Sequence, residues 1–323
     1  MKYLPLLLIL LTQTSLNATD IQREQLIMGT FVSITLDKKN EKEIQKGFTL
    51  LKKIEKSLSS YDKQSLLYQL NLNKSVISDR FLLECIQKSL LFYKLSNAYF
   101  NIAIGSVTKK LYAFGEEEEK IPTKNELALA NTKIKNIHIK KNLITLEKNI
   151  TLDLGGIGKG FAVDKVAQYY KEQNISHGTI ALSGDIRCLD ICSLELQSPY
   201  SEQTFATLTS KIPHLSISTS GTYRRFIKSP KHHHLINPKT IKQGTAFVSV
   251  SLLTEANNTQ IDAYATAISV MPKNKALEFL KTHPEIGFVL VNSNAEIKYG
   301  NLKKFVTVQW KTTKNLKNLH LIN

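Results

Sequence analysis

Asp262 and Thr266 are the residues of this sequence whose types and spacing point most directly to chemistry. They stand in Gln260-Ile261-Asp262-Ala263-Tyr264-Ala265-Thr266-Ala267, a stretch patterned as a helix. Positions four apart on a helix share a face, so this carboxylate and this hydroxyl can point at one spot. Two hard oxygen donors suit Mg²⁺, which keeps several waters and leans on substrate phosphates for the rest of its shell. The same pattern also reads as an Asp capping a helix start with a Thr packed behind it.

A second stretch, Asp153-Leu154-Gly155-Gly156-Ile157-Gly158-Lys159-Gly160-Phe161-Ala162-Val163-Asp164, reads as a strand that ends in glycines and feeds a helix. Glycine lets backbone approach a ligand closely, and the amides of a helix start favour an anion. The stretch is neither a Walker loop, which needs Lys followed by Ser or Thr, nor a clean dinucleotide fingerprint, and a purely structural turn is the alternative. Lys159, inside the turn, is expected to meet a phosphate. A third stretch runs Ser218-Thr219-Ser220-Gly221-Thr222-Tyr223-Arg224-Arg225-Phe226, then His232-His233-His234-Leu235-Ile236-Asn237-Pro238. Its arginines could hold phosphate oxygens or lie on the surface, and its histidines read equally as an exposed loop.

The elements that must position these residues follow from periodicity. Alternation over 26–36 predicts one half-buried strand, and helical spacing predicts helices over 41–58 and 78–95, the second capped by Ser78 or Asp79. A polar loop separates them. A short helix is expected over 124–130, a hairpin over 137–139 and 143–146, a strand over 150–154, and a helix from about 161 to 172. Strands are expected at 179–182, 193–197, 206–208, 215–219, 246–253, 288–291 and 305–310, with helices over 262–270 and 274–282. Strands and helices alternate without a strict β-α-β rhythm, which predicts an α+β fold with mixed, partly antiparallel sheets and packed helices.

Met1-Lys2-Tyr3, an apolar run over 4–11 and the ending Leu16-Asn17-Ala18 have the layout of a secretory signal peptide. The expected organisation is a signal peptide over 1–18, cleaved or kept as an inner-membrane anchor, and one domain over 19–323, either a single unit or two intimate subdomains. The run is too short to span a bilayer, so the chain is expected to be periplasmic. A formal net charge of +16 implies attraction to anions, including an anionic membrane face. No basic block with interleaved aromatics supports nucleic-acid binding. Cys85, Cys188 and Cys192 allow at most one intrachain disulfide, and three partly buried thiols is the favoured reading. Zinc is disfavoured, because Cys188 and Cys192 match no closed structural spacing.

Taken together the motifs resemble the ApbE family of FAD:protein FMN transferases over nearly all of the chain, in family order. The resemblance begins at Met28-Gly29-Thr30 and Ser60-Tyr61-Asp62. It continues through Tyr99-Phe100-Asn101 with Gly105, Ala113-Phe114-Gly115, the glycine turn, SGTYRRF, HLINP and DAYATA. It implies that Asp262, Thr266 and the carbonyl of Gly156 hold Mg²⁺. It implies that Met28, Tyr61, Tyr99, Phe100, Asn101, Asp153, Lys159, Ile236 and Ala265 contact FAD, and that His234 serves with Asp262 in catalysis. Asn101, Asn237 and Thr222 stand where the family usually has carboxylates.

The reaction so implied is attack of a threonine hydroxyl of an acceptor protein on the FMN-side phosphorus of FAD, releasing AMP. His234 would take the hydroxyl proton, and an ordinary imidazole pKa near 6.5 would leave an acidic limb in the rate profile. The acceptor is expected to be a periplasmic or membrane-bound electron-transfer protein. An FAD pyrophosphatase would use the same site with water as the attacker, and a non-catalytic flavin-binding protein is the reading from a different class.

Overall fold

The computed structural model describes residues 19–311 and 316–322. The expected signal segment lies outside the described residues. Nine strands form the central sheet, and their order across it is their order in the chain. They are β1 (Asp20–Ile27), β2 (Thr30–Asp37), β3 (Thr179–Leu182), β4 (Asp185–Cys188), β5 (Ser216–Gly221), β6 (Ser249–Thr254), β7 (Gly287–Val291), β8 (Glu296–Gly300) and β9 (Lys317–Leu321). Every neighbouring pair is antiparallel except β8 and β9, which run parallel. The fold is α+β, as the absence of a β-α-β rhythm predicts.

Strand side chains alternate between faces, and here both faces are covered. Ile180, Leu182, Val250, Leu252, Phe288 and Leu290 join the main apolar cluster with the helices. Their neighbours Ala181, Leu253, Val289 and Val291 join a second cluster, formed with a three-stranded sheet of Ser193–Gln197, Thr204–Ser210 and Val306–Trp310. Burial on both faces explains why β7 reads as a continuous apolar run rather than an alternation, and β6 is likewise buried along its whole length.

Four helices carry most of the other layer: α1 (Glu41–Leu58), α2 (Arg80–Leu95), α3 (Gly158–Glu172) and α4 (Asn258–Val270). Helix α1 has the ends that its apolar spacing predicts and buries Ile44, Phe48, Leu51 and Ile54. Asp79 caps α2, its side chain accepting from the Leu82 amide. The hairpin Ile137–Lys140 with Leu143–Leu146 also forms.

Two expectations are corrected. Residues 26–36 are not one strand: β1 and β2 pair from Ile27↔Thr30 outward, with Met28 (φ 54°) and Gly29 (φ 69°) as the two turn residues. Positive φ at both is the geometry whose twist suits a tight hairpin. Residues 150–154 form no strand. Side chains do the work of a ladder there: Asn71 bonds both the N–H and the C=O of Leu152, Ser106 accepts from the Thr151 amide, and Lys74 donates to the Ile150 carbonyl. An apolar run signals burial, and backbone bonded by side chains leaves no further mark in sequence.

Candidate functional site

The site begins where α3 and α4 meet. Gly160 lies so close to α4 that a Cβ there would stand 2.4 Å from the Asn258 carbonyl oxygen. That approach lets the Gly160 amide donate to Asp262 Oδ2 at 2.9 Å. Asp164, one turn further along α3, accepts from the amides of Asn258 and Thr259 at 2.9 and 2.8 Å. A carboxylate at those first amides satisfies orphan donors and complements the helix dipole. Asn258 in turn donates to the Ile186 and Ile217 carbonyls, fixing α4 to β4 and β5.

The cap of α4 is Asn257, whose side chain accepts from the Gln260 amide. Asp262 therefore lies inside the helix, and the alternative of an N-cap aspartate is removed. Helix α4 starts earlier than expected because Asn257 and Asp164 provide partners for its first turn. Thr266 is not packed away either: its Oγ1 faces the Gly156 carbonyl at 3.4 Å, and a Cβ on Gly156 would stand 2.6 Å from it. Asp262 and Thr266, four residues apart, share one face of α4, and the Thr266 hydroxyl meets the Gly156 carbonyl of the glycine turn.

Asp262 is buried, and burial together with the nearby Asp185 carboxylate holds its pKa well above the usual carboxylate range. Lys159 and the Gly160 amide act in the opposite sense without cancelling this. Lys159 Nζ donates to Asp185 Oδ2 at 2.7 Å and stands 4.0 Å from Asp262 Oδ1. Burial works to lower the Lys159 pKa, but these two carboxylates outweigh it and raise it, so the ammonium stays charged. Asp185 is completely buried and accepts from Ser218 Oγ at 2.6 Å on its other oxygen.

The donor set fits a hard divalent cation. Asp262 Oδ1 is a buried carboxylate oxygen 4.0 Å from the Lys159 ammonium, and the Thr266 hydroxyl and Gly156 carbonyl are neutral oxygens. Among the described residues no three His, Cys, Asp or Glu side chains converge. An oxygen set of one carboxylate, one carbonyl and one hydroxyl leaves room for phosphate oxygens and water.

A second cluster adjoins through Asp153. Its carboxylate accepts from Thr108 Oγ1 at 2.6 Å and from the Gly155 amide at 2.9 Å. Burial works to raise its pKa, yet Lys109, these hydrogen bonds and Arg225 together hold it low, so Asp153 is an anion. Lys109 Nζ sits 3.6 Å above the Tyr61 ring, and the Tyr61 hydroxyl donates to the Phe114 carbonyl at 2.9 Å. Arg225 bonds that same carbonyl at 2.7 Å and also the Tyr61 hydroxyl. Arg224 goes elsewhere, to Gln197.

The three histidines are not one exposed loop. His233 is buried, donating through Nε2 to the Gly244 carbonyl and accepting on Nδ1 from the Leu235 amide, so both ring nitrogens are occupied. His234 donates through Nδ1 to the Arg225 carbonyl at 3.1 Å. A carbonyl only accepts, so Nδ1 carries the proton and Nε2 keeps its lone pair. Burial first, and then the Arg225 charge, push the His234 pKa down to about 4. The expected acidic limb near 6.5 is thereby corrected: this imidazole stays neutral through the mildly acidic range.

The remaining expected contacts divide. Met28 lies beside Gly158, its amide bonded to Glu55, and Tyr99 stacks under Lys239 Nζ at 4.0 Å. Phe100, Ala265 and Ile236 are buried in apolar clusters, so their side chains serve packing and their main chain is what a ligand could reach. Asn101 Nδ2 donates to the Thr132 carbonyl while its Oδ1 accepts from Ala103, leaving no free polar atom. Asn237 Nδ2 likewise donates to the Val270 carbonyl, and Thr222 faces the Val248 carbonyl. Each residue standing where the family usually has a carboxylate thus meets a carbonyl, which a carboxylate could not accept from.

Sequence reasoning missed Asp185, Ser218, Lys109, Thr108 and the capping role of Asp164. The small turn Ser183-Gly184 just before Asp185, with Ser183 at φ 56°, was the available signal for the first of these. The favoured reading of three free thiols is also corrected. Cys188 and Cys192 are disulfide-bonded with Cα atoms 6.0 Å apart, and Cys85 is free and buried. Bonded to each other, those two sulfurs offer zinc nothing.

Fold and site together define an α+β protein that brings a hydroxyl of α4 against a carbonyl of a glycine-rich turn, with a buried carboxylate one helical turn away. The chain belongs to the ApbE family, whose pattern matches residues 28–290. It is 25% identical over 314 residues to the FAD:protein FMN transferase of Treponema pallidum, covering 86% of each chain. It is 23% identical over 282 residues to that of Klebsiella pneumoniae, covering 84% of this chain and 89% of the other. The fold is similar to that of the ApbE protein of Thermotoga maritima, with a TM-score of 0.78 at 21% identity over 87% of this chain and 96% of that one. For the flavin transferase ApbE of Vibrio cholerae the TM-score is 0.73 at 20% identity, over 91% and 97%.

Proposed function

We propose that this chain is an FAD:protein FMN transferase that moves FMN from FAD to a threonine hydroxyl of an acceptor protein and releases AMP. The observation that carries this reading is the Thr266 hydroxyl against the Gly156 carbonyl at 3.4 Å, on the same face of α4 as Asp262, whose Oδ1 lies 4.0 Å from the Lys159 ammonium. Those three groups would hold Mg²⁺, which supplies charge neutralisation at phosphate oxygens when bound. Lys159 adds a fixed positive charge for the pyrophosphate. Tyr61, Tyr99 and Met28 offer aromatic and apolar surface to the ring systems.

His234 Nε2 accepts the threonine proton. The threonine oxygen forms a bond to the FMN-side phosphorus, and the bond from that phosphorus to the bridging oxygen breaks. AMP leaves with that oxygen. A positioned base of this kind contributes typically 10²- to 10⁴-fold. Holding attacker and phosphorus in line is the remaining task, and the rigid α3–α4 junction suits it.

Export to the periplasm accords with the Cys188–Cys192 disulfide, since such bonds persist in oxidising compartments. Among the described residues no helix is long and apolar enough to cross a membrane. The net charge favours peripheral contact with an anionic inner-membrane face. The acceptor is an electron-transfer protein of that compartment, and nucleic acid is not a partner.

Incubating the pure protein with FAD, Mg²⁺ and periplasmic extract tests the proposal. Covalent fluorescent flavin on a protein band after denaturing electrophoresis is the expected outcome. FMN and AMP accumulating without labelled protein would favour the pyrophosphatase instead.

A further inference from the structure

Arg225 belongs to neither the metal set nor the glycine turn, yet three loops of the site close on it. Its carbonyl accepts both the main-chain N–H of His234 at 3.3 Å and the ring Nδ1–H at 3.1 Å. Residues 225–227 and 232–234 form a small antiparallel return, with Phe226 bridged to His233 and the Ile227 amide bonded to the His232 carbonyl at 3.1 Å. That return presents the Arg225 carbonyl to the imidazole. On the other side, Arg225 Nη2 bonds the Tyr61 hydroxyl and the Phe114 carbonyl, the two groups that already bond each other. The Phe114 ring then stands edge-on to the His234 ring, centroids 6.5 Å apart at 79°. The space is kept by Gly115 at φ +81°, where a Cβ would come within 2.5 Å of Nη2.

We propose that Arg225 is the positioning residue of the base: its main chain fixes the Nδ1–H tautomer of His234, and its guanidinium locks the Tyr61 and Phe114 loops around that ring. The inference rests on the transferase reading for the meaning of "base", though not for the geometry. Three ionisable groups act on the His234 ring from the segments around it. Arg225 and His233 disfavour the imidazolium, and the Asp153 carboxylate favours it. Removing the arginine charge leaves burial and His233 against Asp153, so protonation of His234 becomes easier. The charge and the hydrogen bonds of Arg225 separate by substitution. Arg225→Lys keeps the charge and loses the reach that joins Tyr61 to Phe114, whereas Arg225→Met loses both.

The test is titration of the His234 imidazole by ¹H–¹⁵N NMR in the full chain, the resonance being assigned by its loss in His234→Asn. FAD affinity is measured in parallel by flavin fluorescence quenching. In Arg225→Met the titration is expected to move up by roughly one pH unit, and FAD affinity to fall about tenfold. In Arg225→Lys the titration stays at the wild-type position while FAD affinity still falls. Arg225→Gln, neutral but still a donor, gives the same upward shift and serves if the Met variant does not fold. An unmoved titration in both neutral variants, or an FAD affinity unchanged in all three, would overturn the role. Should the wild type label no acceptor while the titration still shifts, the transferase reading fails and the role of Arg225 stands.

Discussion

At position 159 two demands meet. The ammonium, proposed to meet a phosphate, also neutralises Asp185, a fully buried carboxylate. Lys159→Met should therefore do more than raise the KM for FAD. It leaves Asp185 buried without its counter-charge, a loss on the order of 3–5 kcal/mol when a buried pair is broken. Thermal or urea unfolding of the variant without FAD reads this directly, and an unchanged midpoint would show that Asp185 needs no partner. His234 makes a different prediction. Its pKa lies below the ordinary imidazole value, so the base stays unprotonated as pH falls and protonates only near pH 4. Single-turnover transfer should accordingly hold level from pH 8 to pH 5 as far as this group controls it, and His234→Asn should lower it by about 10² to 10⁴-fold with FAD still bound. The variants at His232 and His233 should not share that loss. A His234 ring titrating near 6.5 by ¹H–¹⁵N NMR would contradict the depressed pKa; a falling rate alone would not, because protonation of Asp262, whose pKa burial and Asp185 raise, slows the reaction by itself.

At the scale of elements, the junction of α3 and α4 converts a sequence pattern into a site. Gly160→Ala places a methyl 2.4 Å from the Asn258 carbonyl oxygen, and neither backbone can yield without parting the helices. Overpacking of this kind costs about 1–3 kcal/mol. The variant should lose stability by that amount and, because Asp262 is held by the Gly160 amide, lose metal affinity too. Isothermal titration with Mg²⁺ beside a denaturation curve separates the two effects, and a native-like affinity would mean the junction does not set the ligand geometry. The sequence made part of this legible. Helical spacing located α1 to the residue, and the i, i+4 pair on α4 was visible without any structure. The start of α4 at Asn258 was not, because its caps come from Asn257 and from Asp164, which is 94 residues before Asn258. The side-chain scaffold under residues 150–154 was equally hidden, since an Asn that bonds distant backbone looks like any surface Asn.

For the whole molecule, the second apolar cluster and the disulfide set the limit of what local reasoning reached. Cys188 ends β4 and is buried, while Cys192 precedes the strand Ser193–Gln197 of the smaller sheet. The bond therefore ties the two sheets together at the edge of their shared core. Spacing alone could not decide between thiols and a disulfide, because pairing depends on where the two strand ends are brought by a core assembled from distant segments. Closing so short a loop is worth about 2 kcal/mol. The Cys188→Ser, Cys192→Ser variant should unfold at correspondingly lower temperature while transfer activity at 25 °C is kept; loss of activity with an unchanged melting temperature would place the disulfide in the chemistry.

Asp262, Thr266 and the Gly156 carbonyl are proposed to make a metal-dependent transferase of this chain. A single-turnover reaction with FAD, Mg²⁺ and a threonine-containing acceptor peptide, scored for AMP and flavinylated peptide together, tests it most directly. One AMP for each labelled peptide is expected in the wild type, with a modest loss in Thr266→Ala and loss of both products in Asp262→Ala and after chelation of Mg²⁺. Full labelling by Asp262→Ala, or by the wild type without divalent cation, would contradict it.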